Sequence, residues 1–309
     1  MQIFKLANDA PDYKAGCVLT IGNFDGVHLG HQSMLGYLLN IARPKSVAVM
    51  VMLFEPQPKE YLNRDTKPVR LFSLREKLWA LQRLGVHYVA CISFDSIFSK
   101  LTPAHFFTDY VLKKCHASHV VVGEDFYFGH GRQGSAQCMQ MMATNAGIPF
   151  DIYNIHRVNE LKISSTLVRD HLSKGLFDEV EQCLGQPYFI IGRVGYGQQL
   201  GRQLGVPTAN IALRHHQSTL NGVFCVRIVS CRTKQPWYGV ANIGFKPTVG
   251  GNKRMLEAHL FDFQGSLYGE FLQVFFMHKL RSEKKFSSIE ELKKQIHQDI
   301  CMAKQLCEH

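Results

Sequence analysis

The residues with the most evident chemistry lie between positions 21 and 31, which read Ile-Gly-Asn-Phe-Asp-Gly-Val-His-Leu-Gly-His. His28 and His31 are three positions apart, so in a helical turn they share one face. Imidazoles placed there can donate hydrogen bonds to charge that grows on a phosphoryl group during transfer. The glycines let the backbone approach a ligand, and free N–H groups at a helix start favour phosphate. The segment therefore predicts a nucleotide site that performs chemistry.

A histidine pair with this spacing is also found at partly exposed helix starts and as half of a metal site. Zinc is disfavoured, because neither an H-E-x-x-H nor a C-x-x-C pattern occurs in the chain. The preceding apolar run, the glycines and the adjacent Asp25 together favour the nucleotide site.

The elements around this segment predict an α/β fold. Residues 18–21 are an apolar run typical of a buried strand, and a helix is expected over residues 30–42. Strand-like stretches (47–54, 86–94, 119–123, 148–155) then alternate with helix-like ones (73–84, 103–114, 136–145). Such alternation indicates a doubly wound, mostly parallel sheet that binds ligands at the carboxyl ends of its strands.

The pattern changes after residue 186. Short alternating segments separated by turn residues (189–194, 222–229, 237–243, 255–263, 271–278) predict an antiparallel sheet or small barrel. Ser287 or Ser288, with an acidic residue three positions on, is expected to cap a terminal helix. The apolar stripe of that helix would be Ile289, Leu292, Ile296 and Ile300. We expect two domains, residues 1–185 and 186–309.

Composition limits the class of protein and its partners. The chain of 309 residues is 46% hydrophobic and 19% charged, which is ordinary for a globular protein. Without an apolar run of membrane-spanning length or a signal-peptide core, and with nine irregularly spaced cysteines, we expect a cytoplasmic protein with reduced thiols. A net charge of +10 predicts anionic partners. Scattered basic residues without a nucleic-acid-binding motif favour small polyphosphates such as ATP over nucleic acid.

Four more segments carry groups suited to such chemistry. Residues 123–129 offer glycines, carboxylates and aromatic faces, although a plain turn would look similar. Residues 163–169 place hydroxyls and an arginine at an expected helix start. Without other evidence, this pattern indicates only an N-cap with a surface arginine. Residues 195–210 lack the third glycine of a dinucleotide fingerprint, and no G-K-[ST] marks a P-loop. Strand alternation over 255–263 puts Glu257, His259 and Phe261 on one face.

These segments resemble one known family. Residues 22–31 match the G-x-F-D-x-x-H-x-G-H signature of nucleotidylyltransferases, and residues 123–129 and 163–169 resemble G-x-D-F-x-F-G and I-S-S-T-x-x-R. Residues 201–210 resemble the riboflavin kinase stretch G-R-x-L-G-x-P-T-A-N, and residues 257–259 its E-x-H motif. In this order the segments look like the prokaryotic bifunctional riboflavin kinase/FMN adenylyltransferase (FAD synthetase) family.

The resemblance implies an N-terminal Rossmann-like domain that transfers AMP from ATP to FMN, giving FAD. His28, His31 and Arg169 would be catalytic there and would meet one triphosphate from opposite sides. ATP and phosphate contacts would come from Gly22, Asn23, Phe24, Asp25, Gly30, Ser164, Ser165 and Thr166. Asp125, Phe54 and Phe128 are candidates for flavin contacts, although core packing explains the two aromatic residues equally well.

The resemblance also implies a C-terminal riboflavin kinase-like barrel that phosphorylates riboflavin to FMN with Mg·ATP. Gly197 and Arg202 lie in the glycine loop that would cover ATP. Thr208 and Asn210 would offer hard oxygen ligands to Mg²⁺. Glu257 would accept the proton of the ribityl 5′-hydroxyl.

Three positions depart from the family pattern, since Tyr127 and Lys246 stand where arginine is common and Tyr196 where histidine is usual. Two alternatives stay open. One is an enzyme with a single working activity, in which substitutions such as Tyr127 or Tyr196 have disabled a domain. The other is a non-catalytic flavin- or RNA-binding protein that uses its basic surface. The sequence makes no prediction of oligomeric state.

Overall fold

The computed structural model describes residues 1–5, 16–63, 69–154, 163–196, 205–213, 220–248 and 251–307. The chain divides into two compact units. Met1–Pro68 and Leu74–Ser164 form the first unit, and Val69–Ser73 and Ser165–His309 form the second. Each unit has its own core and is described by itself.

The first unit is built on a sheet of six parallel strands. These are β1 (Gln2–Lys5), β2 (Cys17–Ile21), β3 (Ala48–Glu55), β4 (Tyr88–Ser93), β5 (Ala117–Gly123) and β8 (Phe150–Tyr153), and a short antiparallel pair, β6 (Tyr127–Phe128) and β7 (Gly134–Ser135), follows β5. The spatial order is β1-β4-β3-β2-β5-β8. The chain therefore runs outward from β2 through β3 to β4 and then returns to β5 on the other side of β2. This confirms the predicted doubly wound parallel sheet and puts its switch point between β2 and β5.

Helices cover this sheet. They are α1 (Leu29–Ala42), α2 (Pro58–Leu62), α3 (Leu74–Arg83), α4 (Pro103–His105) and α5 (Ala136–Asn145). The helix predicted over 103–114 exists, but its Phe106–Lys114 part has π-helical hydrogen bonding. Apolar side chains of the strands, such as Leu19, Met50 and Val120, pack in one core with Phe106 and Met139 from the helices. Burial on this scale explains why the strand sequences are continuously apolar.

The second unit is a closed barrel, as predicted. Its strands are β9 (Phe189–Gly195), β10 (Ala209–Leu213), β11 (Gly222–Ser230), β12 (Pro236–Thr248), β13 (Gly251–Leu260) and β14 (Phe271–Arg281), and its helices are α6 (Ser165–Lys174), α7 (Phe177–Leu184) and α8 (Ile289–Cys307). The barrel closes in the order β10-β13-β12-β11-β14-β9, and all of its pairs are antiparallel. The sequence did not predict β10 and α7, because both are short and follow loop-like residues.

The terminal helix corrects one expectation. Its cap is confirmed, since the Ser288 hydroxyl accepts a hydrogen bond from the Glu291 N–H at 3.1 Å. The predicted apolar stripe was wrong at Ile289, which is 61% exposed, whereas Asp299 and Ala303 are buried. The Arg281 guanidinium on β14 donates to both carboxylate oxygens of Asp299 at 2.8–3.1 Å. Leu292, Ile296 and Ile300 are half-buried, and Asp299 and Ala303 lie on the same face of α8, so the rest of the predicted stripe is confirmed.

Candidate active sites

The glycine-rich turn begins where β2 ends, beside the switch point of the sheet. Phe24, Gly26 and Val27 all adopt positive φ angles, of 46°, 79° and 45°. Phenylalanine and valine rarely do so, and valine least of all, so the surrounding packing must hold the backbone there. Phe24, Asp25 and Val27 are buried, and the Gln32 side chain donates to the Val27 carbonyl at 3.0 Å. The turn is thus a rigid, strained support for the residues that follow it.

His28 and His31 lie side by side at the start of α1. Their ring centroids are 3.8 Å apart with an interplanar angle of 21°, and the Phe24 ring lies 4.8 Å from that of His31. The Nδ1 atoms of both histidines are buried, and neither has a hydrogen-bond partner in the described part of the chain. Buried polar atoms without partners are rare and mark positions where a ligand can supply the missing bond. The predicted shared face of the two histidines is confirmed.

Burial controls the protonation of this pair. It lowers the pKa of His28 to about 4, although the carboxylates of Asp25 and Asp125 act in the opposite direction. Burial, then the charges of His28 and Lys77, hold the pKa of His31 well below its usual value. Near pH 7 both rings are therefore neutral, and each carries one N–H donor. A phosphate anion against them would favour the protonated, doubly donating form.

Lys77 was not singled out by any sequence motif. It is 2% exposed on α3, which packs against the Asp25–Val27 turn, and its charge acts on His31. A signal was present in the sequence: Lys77 stands three positions after Leu74 and four before Leu81, on the apolar face of its helix. A lysine at such a position is rarely buried without a structural or functional partner.

The other backbone groups of the first site lie around the same turn. The Gly22 N–H donates to the Met52 carbonyl at 3.1 Å, which ties the turn to the neighbouring strand β3. Asn23 is half-buried, and Gly30 is buried in the first turn of α1. The predicted phosphate-binding residues 22–25 and Gly30 are thus adjacent in one unit.

The second glycine-rich segment follows β5, on the other side of the switch point. Asp125 there is exposed, and its charge acts on His28, so the carboxylate lies within electrostatic range of the histidine pair. Phe128 is a core residue that packs at 5.5 Å from both Phe106 and Phe126. Tyr127 is exposed and lies 4.6 Å from the Arg132 guanidinium. Arg132 therefore places a cation beside this position.

Phe54, the other aromatic candidate for a flavin contact, ends the apolar part of β3. It is half-buried and packs 5.6 Å from Phe98 and 6.1 Å from Phe94. Its ring belongs to an aromatic cluster at the carboxyl end of the sheet.

The hydroxyl-rich segment lies at the start of α6, which runs from Ser165 to Lys174 as expected. Ser164 and Ser165 are half-buried and Thr166 is exposed. The Arg169 Nε donates to the Val69 carbonyl at 2.6 Å, which fixes the base of its guanidinium. His28 and His31 belong to the first unit and Arg169 to the second, so their convergence on one triphosphate stays a prediction.

The barrel brings together three polar residues from three neighbouring strands. Glu257 on β13 is opposite Asn210 of β10 on one side and opposite Asn242 of β12 on the other. Leu256 and Ala258 point into the core, which confirms the predicted alternation along β13. Directly opposed residues of an antiparallel pair have Cβ atoms about 4.5–5.5 Å apart. We call Asn210, Glu257 and Asn242 the polar row.

The polar row has the chemistry that a hard cation requires. The Asn210 amide donates from Nδ2 to the Thr208 carbonyl at 3.2 Å, so its Oδ1 stays an acceptor. Thr208 is two residues before Asn210 in the sequence, and Glu257 is opposite Asn210 in the strand register. The Thr208 hydroxyl, the Asn210 Oδ1 and the Glu257 carboxylate are all oxygen ligands, which suits Mg²⁺. His259 is held by a contact of 2.9 Å between its Nδ1 and the Pro207 carbonyl.

Gly197 and Arg202 lie outside the described residues, as does the side chain of Lys246. Tyr196 is exposed and stacks on Tyr268 with centroids 4.4 Å apart. Within the described residues, no helix has the length and apolar character needed to cross a membrane. Nor do those residues contain a group of three or more His, Cys, Asp or Glu side chains able to hold a metal.

Comparison with known families gives two matches that together span most of the chain. The FAD synthetase family matches residues 10–167, and the riboflavin kinase family matches residues 184–307. The parallel-sheet unit with its histidine turn and the barrel with its polar row therefore define a two-part flavin-nucleotide transferase.

Similar proteins share both parts. The bifunctional riboflavin kinase/FMN adenylyltransferase of Escherichia coli (strain K12) is 45% identical over 292 residues, 94% of this chain and 92% of that protein. That of Pseudomonas fluorescens is 42% identical, with 99% and 98% covered. A crystal structure described as a macrolide-efflux protein from Streptococcus pneumoniae aligns with a TM-score of 0.78 at 28% identity, covering 97% of this chain and 96% of that one. The chain belongs to the bifunctional riboflavin kinase/FMN adenylyltransferase family.

Proposed function

We propose that this chain makes FAD from riboflavin in two steps. The C-terminal part transfers the γ-phosphoryl group of ATP to the 5′-hydroxyl of riboflavin, giving FMN and ADP. The N-terminal part joins AMP from a second ATP to the FMN phosphate and releases pyrophosphate. The observation that carries the proposal is the stacked histidine pair, whose buried Nδ1 atoms lack partners within the described residues, at the switch point of the sheet.

Adenylylation needs alignment and charge stabilisation more than proton transfer. The attacking FMN phosphate is already ionised, so no general base is required. His28 and His31 donate hydrogen bonds to the α-phosphate and the departing pyrophosphate. The backbone of residues 22–25 and Gly30 supports the phosphates. The hydroxyls of residues 164–166 and the planar Arg169 guanidinium would bind the same triphosphate.

The flavin of the adenylylation site is assigned to residues near the carboxyl ends of β3 and β5. Asp125 is exposed and its charge acts on His28, so it can accept a hydrogen bond from a ligand near the histidine pair. Phe54 offers part of a half-buried ring. Phe128 would line the flavin site from its core side, since its ring is packed in the core.

Riboflavin phosphorylation uses the polar row. Glu257 accepts the proton of the ribityl hydroxyl as the phosphoryl group is transferred. Thr208 and Asn210 would hold Mg²⁺, which neutralises phosphate charge when bound. Gly197 and Arg202 are proposed to cover ATP from the glycine loop. His259, anchored to the Pro207 carbonyl, keeps the chain before β10 close to β13.

The two activities are assigned to separate parts of the chain, adenylylation to residues 1–185 and phosphorylation to residues 186–309. The substrates are the small molecules ATP, riboflavin and FMN, not nucleic acid, and the enzyme works in the cytoplasm. The nine cysteines are odd in number and irregularly spaced, which favours reduced thiols in a reducing compartment.

One assay separates this function from both alternatives. The purified chain is incubated with riboflavin, ATP and Mg²⁺, and the flavins are separated by chromatography. Formation of FMN and then FAD is expected, and both should stop when EDTA removes the metal. FMN alone would show a single working activity. Flavin binding without any turnover would show a non-catalytic binding protein.

A further inference from the structure

Two cysteines outside both candidate sites meet where the terminal helix crosses the barrel. The Sγ atoms of Cys225 on β11 and Cys307 at the end of α8 are 3.2 Å apart. Cys225 is wholly buried, and its thiol also lies 3.9 Å from the Ala303 carbonyl. Cys307 is half-buried. The positions are 82 residues apart in sequence, so the contact exists only in the folded barrel.

This contact lies on the face of the barrel that carries the polar row. Cys225 is opposite Val240, which is opposite His259, and this row of residues is next to the polar row. The same end of α8 reaches β13, because the Lys304 ammonium is 5.3 Å from the Phe261 ring that follows the strand. A covalent bond between Cys225 and Cys307 would therefore fix α8 beside the polar row.

We propose that Cys225 and Cys307 form a site of reversible oxidation, in which a hydroperoxide converts the two thiols into a disulfide that locks α8 onto the barrel. A disulfide needs its sulfurs about 2 Å apart, so they must approach by about 1 Å. This movement is small because Cys307 is the last helical residue, where helix ends fray. The oxidation requires neither of the two proposed activities.

The chemistry proceeds in two steps. The Cys307 thiol, which solvent reaches, attacks a peroxide oxygen; the O–O bond breaks, and a sulfenic acid and an alcohol or water form. The Cys225 sulfur then attacks the Cys307 sulfur, the S–O bond breaks, and the hydroxide leaves as water with the Cys225 proton. Two thiols lose two electrons to one peroxide. Burial, and then the hydrogen bond to Cys307, raise the pKa of Cys225, which keeps it a thiol until its neighbour has reacted.

The test uses the full chain and a chemical readout. Reduced protein is treated with hydrogen peroxide, digested with trypsin without reduction, and analysed by mass spectrometry. We expect residues 215–227 to be joined to residues 305–309 with the loss of two hydrogens, and dithiothreitol to reverse it. Cys301 falls in a separate peptide, residues 295–304, so the two α8 cysteines are distinguished. Joining through Cys301 instead, or oxidation of Cys307 without any cross-link, would overturn the proposal.

Stability gives a second, independent readout. A disulfide that closes a long loop typically raises the unfolding midpoint of a domain of this size by roughly 5–10 °C. Oxidised protein should show this rise, lose it with dithiothreitol, and form FMN after a heating step that inactivates the reduced form. Cys307→Ser should abolish the rise, whereas the matched control Cys301→Ser, on the exposed side of the same helix, should keep it. Equal midpoints for oxidised and reduced wild type would refute the lock even if a variant failed to fold.

Discussion

Asn210 and Glu257 stand directly opposite one another on β10 and β13, with both side chains on the face that does not enter the barrel core. An amide and a carboxylate are thus held together by strand register instead of by a flexible loop. Because Leu256 and Ala258 are fully buried on either side, Glu257 cannot turn away without disrupting the core. The position suits a group that must meet a substrate hydroxyl in a fixed geometry.

Glu257→Gln tests this role. The amide keeps the size of the side chain but cannot accept the hydroxyl proton, so FMN formation should fall about 10²-fold or more. FAD formation from supplied FMN should continue, because that reaction uses the other site. Both rates are measured by flavin chromatography. Glu290→Gln, on an exposed turn of α8, is the control, and an equal loss in that variant would remove the case for Glu257.

His31→Ala tests the adenylylation site, where the expected loss is of FAD formation and not of FMN formation. Loss of one donor to transition-state charge typically costs about 10²–10³ in rate, so FAD formation should fall by that factor while FMN accumulates. His105→Ala, an exposed histidine of α4, should change neither product. Loss of both FMN and FAD from His31→Ala would contradict the assignment of separate sites.

Lys77→Met tests whether the buried lysine sets the protonation of the histidine pair. The ammonium is one of the groups that lower the pKa of His31, so its removal should raise that pKa. The part of the pH dependence of FAD formation that follows His31 should then shift to a higher pH than in the wild type. Lys77→Arg should restore the original profile, and Lys59→Met should leave it unchanged. A uniform drop in rate at every pH would indicate a structural role only.

The low pKa of His28 also predicts how stability depends on pH. Folded His28 has a pKa of about 4, below its ordinary value of 6.5, so the unfolded chain binds more protons between these limits. The contribution of His28 to the free energy of unfolding is therefore fully present above pH 6.5 and is lost as the pH is lowered toward 4. From pH 6.5 to 5 the free energy of unfolding should drop by about 1–2 kcal/mol from this group. Urea titrations at both pH values should show a smaller drop for His28→Gln, and an unchanged drop would contradict the assignment.

Asp299→Asn tests the polar anchor of the terminal helix. The substitution leaves the Arg281 guanidinium without its charged partner, so the free energy of unfolding should fall by about 2–3 kcal/mol. Asp170→Asn, which breaks an exposed i,i+4 pair with Lys174, should cost less than about 0.5 kcal/mol. Urea unfolding of the two variants makes the comparison. Equal losses of unfolding free energy in the two variants would show that the buried Arg281–Asp299 pair stabilises the fold no more than a surface ion pair does.

The sequence by itself determined the local elements and the chemistry they carry. Apolar runs and caps predicted α1, α5 and most strands, because helix and strand periodicity depend on neighbouring residues. The motif around His28 and His31 indicated the adenylylation turn, and alternation along β13 placed Glu257 on the face away from the core.

Only the tertiary structure decided which distant residues meet. Strand order put the switch point between β2 and β5, strand register set Asn210 against Glu257, and burial brought Lys77 to the histidine turn. The same packing left Ile289 exposed, contrary to the apolar spacing of the helix, and buried Asp299 against Arg281. The physical reason is that these pairings are fixed by burial and hydrogen bonding between segments far apart in the chain, and no local pattern records them.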